Sequence, residues 1–265
     1  MSDPTQLLAL RERPAGPPVM YQRWRGLLFA HWPLEPEAVA RTLPPGLRVD
    51  TFEGRAWVGI VPFWMAGVRP RGCPPVPGIS NFLELNLRTY VVDEAGVPGV
   101  WFYSLDASGW LAVTLARRLW GLPYYHASMS GHLRADGTHV FTSTRRGARH
   151  TVAETFQYRP MGEAFTARPG SLECFLVERY ALYSKAGHAE AVSRGEPPPG
   201  HAPLRRGRVW HAPYELRNVD PDDFQCTRGL FAQAGLPPPL NPPGHCVFAP
   251  GVNVQAFRPA PVSRA

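Results

Sequence analysis

Apolar and polar positions alternate with a period of two along much of this chain, the pattern of half-buried β-strands. The run VMYQRWRGLLFAHWPL, from Val19 to Leu34, predicts a long strand with Pro33 at its end. AWVGIVPFWMAGV, NFLELNLRTYVVD and VWFYSLDA follow as further strands rich in β-branched and aromatic residues. Between the first two of these runs, PEAVARTLPPGL predicts a short helix stopped by Pro44, Pro45 and Gly46. In NFLELNLRTYV, Phe82, Glu84, Asn86, Arg88 and Tyr90 fall on one face and Leu83, Leu85, Leu87, Thr89 and Val91 on the other. The polar face has two possible destinations, water or a polar cavity, and the alternation does not choose between them.

The pattern changes to a helical one at Gly109–Trp120, where Leu111, Leu115 and Leu119 recur with Ala112 and Ala116 beside them. Ser108 suits the start of this helix, Arg117 and Arg118 its negative end, and Gly121 the left-handed position just beyond; Pro123 forbids continuation. Strands resume in YYHASMSGHL, turn at Asp136–Gly137 and return through THVFTST. PGSLECFLVERYALYS joins a helix capped by Ser171 to another strand. After a proline-rich loop at Pro197–Pro199, RGRVWHAPYELRNV predicts one strand and HCVFAPGVNVQAFRP a closing pair. No repeat and no long linker divides the chain. The expected fold class is α+β, mainly antiparallel β: a short tail over residues 1–18 and a single domain over 19–262, built on a sheet or barrel with a few peripheral helices.

Composition supports this reading. Of 265 residues, 31 are proline and 25 glycine, which favours short strands and many turns over long helices. The 28 basic residues outweigh 21 acidic ones to give a net charge of +7, yet only one of them, Lys185, is a lysine. The arginines are dispersed. Arg145, Arg146 and Arg149, with His150, read as a hairpin turn with solvated charges, and Arg205, Arg206 and Arg208 form a second short cluster. Neither is interleaved with stacking aromatics, which argues against a nucleic-acid partner. No apolar stretch is long enough for a membrane span, and the first residues do not resemble a signal peptide. Cys73, Cys174, Cys226 and Cys246 are widely spaced and read as buried thiols rather than a disulfide framework, so a cytoplasmic setting is expected.

Nine histidines raise the question of metal, but none falls in a zinc spacing, and adjacent His245 and Cys246 would face opposite sides of a strand. There is no nucleophile elbow, phosphate loop or dinucleotide fingerprint. Neither a metal nor a cofactor is expected.

The informative segment is Arg117-Arg118-Leu119-Trp120-Gly121-Leu122-Pro123-Tyr124-Tyr125-His126-Ala127. It resembles the acetoacetate decarboxylase segment in which a helix ends in R-E-x-x-G-[FY]-P-K-K. In that family the first lysine forms a Schiff base and the second lowers its pKa. Here Tyr124 and Tyr125 stand at those positions, and neither can form an imine. Lys185, in LYSKAGHAEAV, reads as a solvated residue in a turn. The chain is more closely similar to the YqjF-like proteins, a domain of unknown function in the same superfamily. The matching pieces are YQRWRGLLFAHWPL, LPPGLRVDTFEGRAWVGIVPF, NFLELNLRTYV, WFYSLDAS, RRLWGLPYYHASM, PGSLECFLVERYALYS, VWHAPYEL and FAPGVNVQAF, in order across almost the whole chain. The resemblance implies an acetoacetate-decarboxylase-like β-barrel with an internal pocket. It also implies that Glu84 stands for the family's active-site glutamate, the alternative being an exposed strand glutamate paired with Arg88.

If the pocket is kept, the candidates to line it and bind a ligand are Arg23 or Arg25, Glu84, Arg88, Tyr124, His126 and His211. Tyrosine and arginine could hold a carboxylate or carbonyl oxygen; Glu84, Tyr124 and His126 are the candidates to move a proton. Plain aromatic packing is the alternative for Tyr124 and Tyr125, and a structural role the alternative for His211. Glu178, Arg179 and Tyr180 read as an ion pair and a strand contact. Three functions follow: a module binding a small anionic or carbonyl-bearing metabolite, a lysine-independent hydrolase, isomerase or decarboxylase, or a protein-interaction module using the basic surface. A homo-oligomer is compatible with all three.

Overall fold

The computed structural model describes residues 3–109, 120–146, 153–188, 191, 202–220 and 222–262. Strands dominate. β1 (Met20–Leu34), β2 (Leu47–Val49), β3 (Ala56–Pro70), β4 (Phe82–Asp93) and β5 (Pro98–Ala107) come first, and β6 (Tyr124–Leu133), β7 (His139–Arg145), β8 (Ala153–Tyr158) and β9 (Pro160–Phe165) follow. β10 (Ala181–Lys185), β11 (Leu204–Trp210), β12 (Leu216–Val219), β13 (Gln225–Cys226) and β14 (His245–Pro261) complete the set. The described helices are short: α1 (Pro4–Ala9), α2 (Pro36–Ala40), α3 (Leu172–Val177) and α4 (Gly229–Gln233). Ser171 caps α3 by accepting from the Cys174 amide, as its sequence predicts. The helix expected over Gly109–Trp120, Arg149 with His150, and the loop at Pro197–Pro199 lie outside the described residues, save for the ends of that helix. Gly121, just past it, has φ +63°, the left-handed value its position requires.

Seven strands close into a barrel in the order β1, β3, β4, β5, β10, β11, β14 and back to β1. Every neighbour is antiparallel except β5 and β10, which run parallel through two pairs, Leu182 with Val100 and Tyr183 with Trp101. From β5 the sheet also continues outward through β6, β7, β8 and β13, a second layer laid over one side of the barrel.

Strand alternation therefore feeds two cores. Leu27, Phe29, Val61, Phe63, Met65 and Tyr90 face the barrel interior. Leu28, Ala30, Val58, Ile60, Leu85 and Leu87 face outward and pack with Phe141, Phe156 and Phe231. β4 is consequently buried on both faces, and its leucine face is the outer one, leaving Glu84, Asn86 and Arg88 to point inward.

Several expectations are corrected. RGRVWHAPYELRNV is two strands, β11 and β12, because Pro213 and the stacked ring of His211 break the run. The closing pair is one strand of 17 residues, β14, which passes Gly251 at φ +147° where a Cβ would meet the Trp24 carbonyl at 2.3 Å. Arg145 is not a solvated turn residue: it ends β7, buried, paired with Asp106 at 2.6 Å and stacked over the Tyr125 ring at 4.0 Å. Lys185 is buried at the end of β10 rather than solvated in a turn. Of the four thiols, Cys73 is exposed and only Cys174 fully buried. The first residues fold onto the barrel: Leu7 is buried in its core and Arg11 pairs with Glu178 at 3.3 Å. Among the described residues, no helix is long and apolar enough to cross a membrane.

The parallel seam depends on close approach. A Cβ at Gly99 would lie 2.7 Å from the Tyr183 ring and 2.9 Å from the Ala181 carbonyl. Tyr183 also donates to the Val97 carbonyl at 2.8 Å, tying the strands beyond the paired residues. Gly99→Ala is expected to destabilise the fold by about 1–3 kcal/mol, the usual cost of overpacking, measured by urea unfolding. An unchanged midpoint would show that the seam tolerates separation.

Candidate functional site

The barrel encloses a cavity of about 220 Å³. Its walls come from alternate residues of the ring. β1 contributes Met20, Gln22, Trp24 and Leu27, β3 contributes Val61, Phe63 and Met65, and β4 contributes Phe82, Glu84, Asn86 and Arg88. Trp120, Leu122 and Tyr124 close the side where β6 departs, and Tyr214 adds a further aromatic wall. The lining is mostly apolar, with its polar groups concentrated along β4.

Glu84 and Tyr124 meet across this space. The Tyr124 hydroxyl donates to Glu84 Oε2 at 3.0 Å, and both side chains are buried. Burial pushes the Glu84 carboxyl up to about 7, against the downward pull of hydrogen bonds from Tyr124 and Asn86. Burial first, and then the Glu84 charge, hold the Tyr124 hydroxyl well above its usual value, so it remains a donor. The exposed-glutamate alternative is thereby corrected.

Arg88 lies deeper on the same face. Its Nη2 donates to the Leu176 carbonyl at 3.0 Å and more weakly to the Tyr90 hydroxyl at 3.4 Å. Tyr90 is fixed in turn, donating to Leu176 at 2.9 Å while its oxygen lies 2.7 Å from His31 Nε2. His31 Nδ1 continues the chain to His245 Nδ1 at 3.0 Å. The Arg88 guanidinium also sits over the Phe29 ring at 5.4 Å. Among the described residues no carboxylate pairs with Arg88, and its Nε has no hydrogen-bond partner. The contrast with other buried arginines is direct: Arg145 has Asp106, and Arg179 has Asp50 at 2.9 Å. Asn86 Oδ1, between Glu84 and Arg88, is also buried without a partner.

The structure thus gathers three of the sequence candidates, Glu84, Arg88 and Tyr124, and separates the rest. Arg23 and Arg25 do not line the cavity, because Gln22 and Trp24 take the inward positions of β1. Arg25 instead donates to the Val252 carbonyl at 2.8 Å and to Asn253 Oδ1 at 2.9 Å. His126 shares the parity of Tyr124 but sits where β6 leaves β5 for β7, half-buried and outside the lining. His211 is packed between Tyr180 and Tyr214, each ring centroid 4.6 Å away, with Nδ1 donating to the Ala212 carbonyl at 2.8 Å. Its burial lowers its pKa, as expected of a neutral ring in aromatic packing. Glu178 is likewise occupied, by Arg11, the Tyr180 hydroxyl and the Tyr214 amide.

Asn86 and Gln22 are lining residues that the candidate set missed. Asn86 was within reach of the alternation that selects Glu84 and Arg88. Gln22 was not, because its inward direction is decided by Trp24 and Leu27 around the irregular Gly26, at φ +58°. No group of three or more histidine, cysteine, aspartate or glutamate side chains among the described residues is placed to hold a metal ion.

The raised carboxyl has a measurable consequence. Folded Glu84 keeps its proton to about pH 7, whereas an unfolded glutamate releases it near its ordinary value of 4.5. Between these values the native state binds the extra proton, so stability falls as pH rises through that window. Glu84→Gln keeps an acceptor for Tyr124 and is expected to remove this slope. Urea midpoints of the two proteins from pH 4.5 to 8 test it; a difference independent of pH would contradict the assignment.

Comparison with known proteins agrees with this architecture. The Uncharacterized protein YqjF of Bacillus subtilis (strain 168) is 40% identical over 171 residues, covering 64% of this chain and 69% of that protein. Among solved structures, the enduracididine biosynthesis enzyme MppR complexed with pyruvate superposes with a TM-score of 0.62 at 16% identity, covering 94% of this chain and 91% of that one. The acetoacetate decarboxylase of Legionella pneumophila gives 0.62 at 13% identity, covering 94% of this chain and 88% of that one. An acetoacetate decarboxylase-like enzyme from Sphingomonas wittichii RW1 gives 0.61 at 13% identity, with 94% of each chain covered. At these identities the structures establish the acetoacetate decarboxylase-like fold. A family profile described as an uncharacterized conserved protein, DUF2071, matches residues 21–253, and with the barrel and the YqjF match it places this chain in the DUF2071 family.

Proposed function

We propose that the chain is a binding protein that holds a small anionic or carbonyl-bearing metabolite inside the barrel. The observation that carries this reading is Arg88, a buried cation in an apolar cavity with no carboxylate partner among the described residues. Removing a guanidinium from water costs several kcal/mol unless an opposite charge compensates it. The chain supplies that charge to Arg145 and Arg179, and a bound anion would supply it to Arg88. A relative by fold, MppR, is complexed with pyruvate, a small acid that also bears a carbonyl. By the sequence resemblance Tyr124 stands where the decarboxylases carry the imine lysine, and Lys185 is not among the lining residues. Imine chemistry therefore has no support in this cavity.

A second reading has one specific observation behind it. Glu84, held near neutrality and hydrogen-bonded to Tyr124 in an enclosed site, is suited to give or take a proton at physiological pH. A lysine-independent hydrolase, isomerase or decarboxylase could use that pair, with Arg88 anchoring the substrate.

Two experiments address these readings. Arg88→Met is expected to lower affinity for carboxylate ligands at least tenfold by calorimetry without lowering the urea midpoint, since it removes an uncompensated buried charge. Retained affinity would exclude Arg88 as the anion site. Borohydride added with acetoacetate or pyruvate is expected to leave no covalent adduct at Lys185 by intact-mass analysis, and an adduct there would restore imine chemistry.

A further inference from the structure

The cavity is graded along its axis, and the gradient carries chemical information about what it holds. Residue pairing defines the levels. Met20 lies opposite Pro70, Trp24 opposite Met65, Met65 opposite Phe82, Phe63 opposite Glu84, Val61 opposite Asn86, and Gly59 opposite Arg88. At about 3.3 Å per residue, the path from Phe82 to Arg88 is roughly 20 Å along the strand. Lining residues at the Arg88 end are buried, whereas Met20, Gln22 and Val68 are half-buried and Pro70 and Ile79 exposed. The mouth is therefore at the Ile79 end and the cation at the closed end.

The mouth is also apolar. Ile79, which lines it, is 43% exposed, and neighbouring Val76 is 48% and Val19 38% exposed, three of the few large apolar side chains in solvent among the described residues. Val76 and Ile79 share one turn, the Ile79 and Ser80 amides donating to the Val76 carbonyl at 3.2 and 2.9 Å, while the Arg71 amide donates to the Val19 carbonyl at 3.0 Å, next to the lining residues Met20 and Pro70. Val68, behind them, donates to the Ser80 carbonyl at 3.0 Å. Between this rim and Arg88 the walls are Trp24, Met65, Phe82 and Phe63, interrupted by the Glu84–Tyr124 pair and Asn86. A two- or three-carbon acid at Arg88 would leave this apolar length unfilled.

Size sets the other limit. A cavity of about 150 Å³ holds benzene, and on that scale this hollow of about 220 Å³ takes roughly nine non-hydrogen atoms. We infer that the ligand is a monocarboxylate with an apolar alkyl or aryl tail of roughly six or seven carbons, seated carboxylate-first at Arg88 with its tail leading out past Glu84 toward Phe63, Met65 and Phe82. This rests on the anion-binding reading above and sharpens it from small acids in general to amphiphilic ones.

Calorimetry on the full chain with acetate, pyruvate, butyrate, hexanoate, octanoate, 3-phenylpropionate and octanamide tests it. Affinity is expected to rise about threefold to fourfold per added methylene up to octanoate, the gain from burying each one. Octanamide, which has the tail without the charge, is expected to bind at least tenfold more weakly than octanoate. Phe82→Ser, at a half-buried wall position facing the tail, is expected to reduce octanoate affinity fivefold or more and to flatten the dependence on length. If pyruvate or acetate binds as tightly as octanoate, the tail assignment is overturned while the anion site stands. If octanamide matches octanoate, the carboxylate-first orientation is overturned. If no carboxylate of any length binds the folded protein, the anion-binding reading fails together with this one.

Discussion

The ring of seven strands closes where β10 lies parallel to β5, through only two residue pairs. What faces inward on the other six strands is interior only because that seam holds. Gly99 lets the Tyr183 ring and the Ala181 carbonyl come close, and Arg206, paired with Asp93 at 2.9 Å, ties β11 to the end of β4. With the ring closed and the second layer laid over it, β4 has no solvent face. Its polar row, Glu84, Asn86 and Arg88, is then forced into the barrel.

The physical properties of the site follow from that enclosure. Burial opposes the charged form of Glu84 more strongly than Tyr124 and Asn86 favour it, so the carboxyl stays protonated to about neutrality. Arg88 cannot neutralise itself in this way and, among the described residues, is met by neutral acceptors and aromatic faces alone. The network beneath it, Leu176, Tyr90, His31 and His245, fixes the guanidinium without balancing its charge. Gly59 is part of the same device: a Cβ there would lie 2.7 Å from the His31 ring. The fold thus holds a cation at the closed end of a hollow, its guanidinium tied to the Leu176 carbonyl and the Tyr90 hydroxyl.

Much of this was legible in the sequence. The long strands, the capped helix after Ser171 and the two faces of β4 came from alternation and capping alone, and the resemblance to acetoacetate-decarboxylase-like proteins brought Glu84 and Tyr124 together as candidates. Local pattern could not say which face of β4 was interior, because both are buried and the leucine face would ordinarily be chosen as the core. It also could not find the direction of Arg23 and Arg25, which depends on the irregularity at Gly26, or the burial of Arg145 and Lys185, which depends on strands and loops brought together from distant sequence. His126 and Tyr124 share a strand parity but not a site, since parity says nothing about where β6 leaves the barrel. Where the chain turned from local pattern to long-range contact, the candidate set lost Arg23, Arg25, His126 and His211 and gained Asn86 and Gln22.

The central claim is that an uncompensated cation, Arg88, waits inside the barrel for an anion. Diffraction at the bromine edge from crystals soaked in bromide tests it without presuming any ligand. The account predicts an anomalous peak inside the cavity, in contact with the Arg88 guanidinium. A cavity without bromide, with Arg88 instead turned onto a carboxylate of the chain itself, would contradict it.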